Sequence, residues 1–141
     1  VSQYLIEPEV SGGFGENTLG HFDVHPPKVE KLHLEFDGWL GDDLLETFPC
    51  FLVSESLATA LVASQLSGYN LAAVELSSSD IFQELQPECC LPRFSWLQIT
   101  GDNGKDDFSV SEKGMLLVSR KAMQLLQKFQ LTNAEITVYK S

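Results

Sequence analysis

The chain has 141 residues, 43% of them hydrophobic, and 20 acidic against nine basic side chains give a formal charge of −11. That length fits one domain, or two small halves on a shared core, and the hydrophobic share excludes wholesale disorder. The charge repels phosphate backbones and anionic lipid, so nucleic acid and membrane surfaces are excluded as partners, whereas a basic protein is attracted.

No apolar run approaches the roughly 18 residues that cross a bilayer as a helix. Val1-Ser2-Gln3-Tyr4 carries no basic stretch leading into an apolar one, so no secretory signal is expected. Residues 1–30 read as loop-rich. Tyr4 to Val10 suggests a short edge strand, with Pro8 limiting its pairing. Ser11-Gly12-Gly13-Phe14-Gly15 reads as a turn cluster, and Pro26-Pro27 stops any regular element. His21, His25 and His33 lie close in sequence, but the prolines argue against the helix that a His-x3-His metal site needs.

Residues 31–36 alternate: Leu32, Leu34 and Phe36 share one face of a strand, and Lys31, His33 and Glu35 share the other. Asp37-Gly38 supplies a turn. Trp39 and the pair Asp42-Asp43 follow. Phe51-Leu52-Val53 is a buried strand, and Ser54 stands where a helix N-cap belongs, with Glu55 in the first turn. Leu57, Ala58, Leu61, Val62 and Leu66 form a helical stripe that Ser67-Gly68 closes. Residues 69–76 read as one returning strand with a bulge. Ser77 to Asp80 is a second cap signal, Pro87 and Pro92 bracket an irregular crossover, and residues 94–99 have strand character. Gly101 to Lys105 turns the chain towards Asp106-Asp107.

Leu116-Leu117-Val118 is the next strand, and Ser119 caps a helix with the stripe Ala122, Met123, Leu125, Leu126 and Phe129. Thr132-Asn133 closes that helix, and residues 134–139 form the last strand, with Ala134, Ile136 and Val138 on one face. A slide of about 65 residues lays Phe51-Leu52-Val53-Ser54 on Leu116-Leu117-Val118-Ser119, Leu61 on Leu126 and Gln65 on Gln130. The expected class is therefore α+β: a single domain over 1–141 with two helices and seven or eight strands. Its two strand-helix-strand pseudo-repeats, about 50–76 and 114–139, pack on a mixed or antiparallel sheet. With their flanks the units span about 39–76 and 103–141.

No nucleophile elbow, phosphate loop or zinc spacing is present, so no enzyme activity and no cofactor are expected. Three cysteines, Cys50, Cys89 and the adjacent Cys90, are not a disulfide framework and fit a reducing cytoplasm. Asp42-Asp43 and Asp106-Asp107 admit three readings: aspartates bonding local backbone in turns, one carboxylate of each pair facing a partner's arginine, or a metal or acid–base site. Trp96 reads as core. Trp39 stands between core and a binding hot spot.

The run Asp106-Asp107-Phe108, Leu116-Leu117-Val118-Ser119, an amphipathic helix and Leu131-Thr132-Asn133-Ala134-Glu135-Ile136 resembles the end of bacterial immunity proteins from polymorphic-toxin systems. Leu52-Val53-Ser54 and its helix look like the same element earlier in the chain. The resemblance implies a small cytoplasmic protein that blocks a cognate toxin by occupying its surface, with no catalytic residue. A basic toxin is then the expected partner, and Trp39, Asp42, Asp43, Asp106 and Asp107 are the expected contact residues. A homo-oligomeric scaffold is the alternative, and a metal-dependent enzyme built on the paired aspartates is a further one.

Overall fold

A computed structural model describes residues 3–139. Val1, Ser2, Lys140 and Ser141, on which the expected absence of a secretory signal and the end of the second unit partly rest, lie outside the described residues. In chain order the elements are β1 (Gln3–Glu7), β2 (Gly12–Phe14), β3 (Leu19–His21), β4 (Lys28–Lys31), β5 (His33–Phe36), β6 (Leu44–Thr47), β7 (Cys50–Ser54), α1 (Glu55–Ala63), β8 (Tyr69–Ala72), β9 (Glu75–Ser78), α2 (Asp80–Leu85), β10 (Phe94–Ile99), β11 (Phe108–Val110), β12 (Leu116–Ser119), α3 (Arg120–Leu126) and β13 (Glu135–Tyr139). The class is α+β, strand-rich, with three helices and thirteen strands among the described residues, against the expected two and seven or eight.

Two antiparallel four-stranded sheets dominate, ordered β11-β12-β1-β13 and β6-β7-β10-β8. A third sheet runs β2-β5-β9, with β5 and β9 parallel, and β3-β4 forms a separate hairpin. One core gathers Ile6, Phe108, Leu116 and Val118 from the first large sheet and Leu44, Phe51, Val53 and Leu97 from the second. Helices α1 and α3 cover it through Leu57, Leu61, Ala122, Met123 and Leu126. The opposite face of the second sheet supplies Leu45, Leu52 and Trp96 to another core, closed by Leu34, Phe36 and Phe82. Every residue of β7 is thus buried, which is why that strand is a continuous apolar run and does not alternate.

Several expectations change. The N-terminal strand is central, because β1 pairs with β12 on one side and β13 on the other. Pro8 follows β1, so its missing N–H removes no ladder bond. Gly12 to Phe14 pair with β5 as a strand, where pairing with a formed partner overrides the turn preference of glycine. His33 is buried as well as Leu32, Leu34 and Phe36. Residues 69–76 split between two sheets as β8 and β9.

Both main helices begin at the expected serine and stop early. Ser54 and Ser119 accept from the Leu57 and Ala122 N–H groups. Helix α1 ends at Ala63: Ser64 leaves helical geometry for extended backbone (φ −80°, ψ 170°), and its hydroxyl donates to the Leu61 carbonyl at 2.6 Å. Helix α3 ends at Leu126, and Asn133 lies outside it. Val62 is 71% exposed and leaves the buried stripe. No helix among the described residues is long and apolar enough to cross a membrane.

Candidate functional site

The paired aspartates bond to backbone. Asp43 and Asp107 have the same arrangement. Asp43 Oδ1 accepts from the Ser54 hydroxyl at 2.6 Å, and Oδ2 accepts from the Gln130 N–H at 2.8 Å. Asp107 Oδ1 accepts from the Ser119 hydroxyl at 2.6 Å, and Oδ2 accepts from the Ser67 N–H at 2.9 Å. The Ser54 N–H donates to the Asp43 carbonyl and the Ser119 N–H to the Asp107 carbonyl, each at 2.8 Å. Each carboxylate therefore holds the capping serine of one helix and the chain just beyond the other helix. Burial works against ionisation of Asp107, yet donation by Ser119 and Ser67 and the nearby Lys121 charge outweigh it and hold the carboxyl below the ordinary aspartate range.

Asp42 is 0% exposed. Its carboxylate accepts from the Asn133 N–H at 2.8 Å and the Asn133 side chain at 3.0 Å. A side chain so placed cannot reach a partner's arginine, which corrects the expectation for Asp42. Asp106 closes a turn by accepting from the Asp102 N–H at 2.8 Å. Asp43, Asp106 and Asp107 are half-buried. Of the three readings open for these pairs, turn bonding to local backbone describes Asp106; Asp42, Asp43 and Asp107 instead bond groups 11 to 91 residues away in the chain.

A residue absent from the sequence reading organises this region. Glu9 is buried, and its carboxylate accepts from the Leu40 N–H at 2.9 Å, the Asp42 N–H at 3.1 Å and the Ser11 hydroxyl. It fixes residues 40–42, which in turn carry Asp42 to Asn133. Trp39 is half-buried in the same loop. Its indole N–H donates to the Asp42 carbonyl at 3.0 Å, its backbone N–H donates to the Gln86 side chain at 2.7 Å, and its ring meets Phe94 edge-on at 6.0 Å. Trp96 is buried, as expected.

Glu46 is a carboxyl under strain of a different kind. Burial pushes its pKa above the ordinary glutamate value of 4.5, and the charge of Glu7 adds to this. A raised folded-state pKa means that the stabilising contribution is complete below 4.5 and is lost as pH rises through the folded value. Glu46→Gln is therefore expected to melt above wild type at pH 7. The gap should close as the buffer is taken below the ordinary glutamate pKa, as thermal unfolding followed at several pH values would reveal. An equal gain at every pH would mean that ionisation of Glu46 is not its source.

The histidines are dispersed. His21 pairs with Glu30 at 3.0 Å, and the His25 ring lies 6.0 Å from that of Phe48. His33 touches Ser77, Nε2 to Oγ, at 2.7 Å. This contact looks like a nucleophile and its base, but Nδ1 accepts the Asn17 N–H at 3.2 Å. Nε2 then carries the ring proton and donates to Ser77, so no lone pair remains to take the serine's proton. Cys50 is buried and its thiol is pushed up to about 12, which leaves it protonated and inert.

One part of the surface is apolar. A cavity of about 340 Å³ is lined by Pro26, Pro27, Val29, Pro49, Trp96 and Val110, among others. Phe22, Val24, Phe48 and Val110 are exposed on the same hairpin and loops that line it, with Phe22 edge-on to Phe14 at 5.6 Å. Clustered aromatic and proline side chains around an indentation are the usual composition of a protein-binding surface. No sequence motif marked it, because its members come from separate stretches of the chain. Comparison with protein-family models, with curated proteins and with solved structures finds no match to this chain.

Proposed function

We propose that this chain is a non-enzymatic binding protein, most concretely a cytoplasmic immunity protein that neutralises a cognate bacterial toxin by occupying its surface. The observation that carries the reading is the apolar indentation lined by Pro26, Pro27, Pro49 and Val110, with Phe48 exposed beside it, on a chain of net charge −11. Long-range charge would steer a basic partner, and the apolar patch would supply the contact that holds it. The engagement of Asp42, Asp43 and Asp107 with backbone groups weakens the reading of a metal-dependent enzyme built on them. Trp39, Asp43, Asp106 and Asp107 stay among the proposed contact residues, and Asp42, wholly buried, does not.

We also infer that residues 50–76 and 114–139 are two copies of one strand-helix-strand unit. Support comes from the parallel bonding of Asp43–Ser54 and Asp107–Ser119, and from two sheets whose hairpins β6-β7 and β11-β12 hold corresponding places.

The test is capture of a partner from lysate of the source cell, followed by titration of the purified pair. A stoichiometric basic protein is expected, with an association rate that falls steeply with salt and an affinity that drops at least tenfold in Phe48→Ala. A partner whose binding ignores both salt and Phe48 would refute the surface, and one that the chain does not inhibit would refute the role. The homo-oligomeric alternative is favoured by one specific observation: β13 is the outer strand of its sheet and, among the described residues, pairs with β1 alone.

A further inference from the structure

Strand β13 is the outer strand of its sheet, and among the described residues it pairs only with β1. Its five residues are Glu135-Ile136-Thr137-Val138-Tyr139, a run rich in β-branched and aromatic side chains. Register sets its faces. Ile136 lies opposite Ile6 and Val138 opposite Tyr4, and these in turn lie opposite Leu116 and Val118. Directly opposed residues share a face, so Ile136 and Val138 sit on the core side of the sheet. Even so, they are 39% and 60% exposed. The core cover stops short of the edge.

Natural edge strands are protected by charge, proline or a bulge. Here one glutamate is the only charged residue of the strand, and its pairing with β1 runs without a register shift. The sequence is also self-complementary. If two copies meet antiparallel about a twofold axis at Thr137, Thr137 opposes Thr137, Ile136 opposes Val138 of the other copy, and Glu135 opposes Tyr139. Apolar meets apolar twice, threonine meets threonine, and no carboxylate meets another. The threonine pair is of a favourable kind, the Ile–Val pairs bury apolar surface, and no pair sets like charges against each other.

We infer that a second copy of this chain adds to the β13 edge, joining two four-stranded sheets into one of eight. The inference stands apart from toxin binding and holds whether or not that reading does. The interface is small, and two chains of charge −11 repel. The dimer is therefore weak and strengthens with salt, the reverse of the salt dependence expected for a basic partner.

Sedimentation of the full chain in low and in about 0.5 M salt, up to about 1 mM protein, reads this out. The expected result is a monomer–dimer equilibrium with a Kd on the order of 10–100 µM in high salt. The equilibrium should weaken at least tenfold in Val138→Lys and in Ile136→Lys/Val138→Lys, where two lysines meet two across the axis. Because both positions are exposed, these variants keep the fold, which circular dichroism verifies. Amide hydrogen exchange supplies the location: β13 amides should slow as wild-type concentration rises. A chain that stays monomeric throughout overturns the inference and leaves the edge to a strand of another protein. A dimer unaffected by the lysines, or one without added protection at β13, overturns it equally.

Discussion

Asp42→Ala is expected to lower the melting temperature by roughly 10 °C, a loss of about 3 kcal/mol. The carboxylate is wholly buried and receives two donors from Asn133. Bonds to an ionised acceptor are stronger than neutral ones, and their removal strands the donors. The loss is also topological. Asp42 ties the loop before β6 to the loop before β13, and Glu9 holds that first loop from β1's end through the Leu40 and Asp42 N–H groups. Asn133→Ala removes only the side-chain donor and should cost about 1 kcal/mol, because the backbone bond survives. Asp42→Lys buries an uncompensated cation and should prevent folding. Charge reversal at Asp42 therefore cannot report on partner binding, whereas the same change at exposed acids can. Urea unfolding of the three variants separates these outcomes. An Asp42→Ala loss no larger than that of Asn133→Ala would show that the backbone bond contributes nothing.

Which parts of this were legible beforehand follows from the range of the forces involved. Ser54 and Ser119 were readable as caps because a cap is set by residues three positions apart. The alternation of Leu32, Leu34 and Phe36 and the burial of residues 51–53 are likewise local patterns. Strand β1 was misread as an edge because its partners, β12 and β13, come from the far end of the chain. Proline and glycine nearby suggested irregularity, and only long-range pairing reverses that. Glycine and asparagine do not mark the helix ends, because α1 already turns extended at Ser64, whose hydroxyl takes up the Leu61 carbonyl, and α3 stops at Leu126. In the candidate site, the residue types at 42, 43 and 107 raise bonding to local backbone as one reading, whereas the groups they hold are remote in the chain. Their bonding partners, at 133, 130 and 67, carried no signal. Glu9 carried none either. A single glutamate between Pro8 and Val10 looks like any solvated acid until its three donors are assembled around it. The apolar surface at Pro26 and Phe48 has the same character, since it exists only once the β3-β4 hairpin and the β6-β7 loop are side by side.

Gly68→Ala should be the other severe single change, at about 3 kcal/mol or more, with Gly101→Ala close behind. A Cβ at Gly68 would lie 2.3 Å from the Phe108 carbonyl oxygen, and one at Gly101 would lie 2.0 Å from the same atom and 2.8 Å from Gly68 Cα. These neighbours are backbone, so no side-chain rotation relieves the overlap. Gly68 also has φ +94°, which alanine adopts only at a cost. The backbone cannot retreat without breaking bonds. The Thr100 and Gly101 N–H groups donate to the Gly68 carbonyl at 2.9 and 3.0 Å, and the Phe108 N–H donates to the Ser67 carbonyl at 3.0 Å. Displacing Ser67 removes its N–H from Asp107, and Asp107 holds the Ser119 cap of α3. The damage would thus pass from the exit of α1 to the start of α3. Gly104→Ala is the control that isolates the cause. Gly104 has φ +85°, yet a Cβ there meets nothing within 4 Å. Only the conformational cost remains, about 1–2 kcal/mol. Denaturant unfolding should rank Gly68 well above Gly104, and equal losses would mean that the close approach of residues 68, 101 and 108 contributes nothing to the fold.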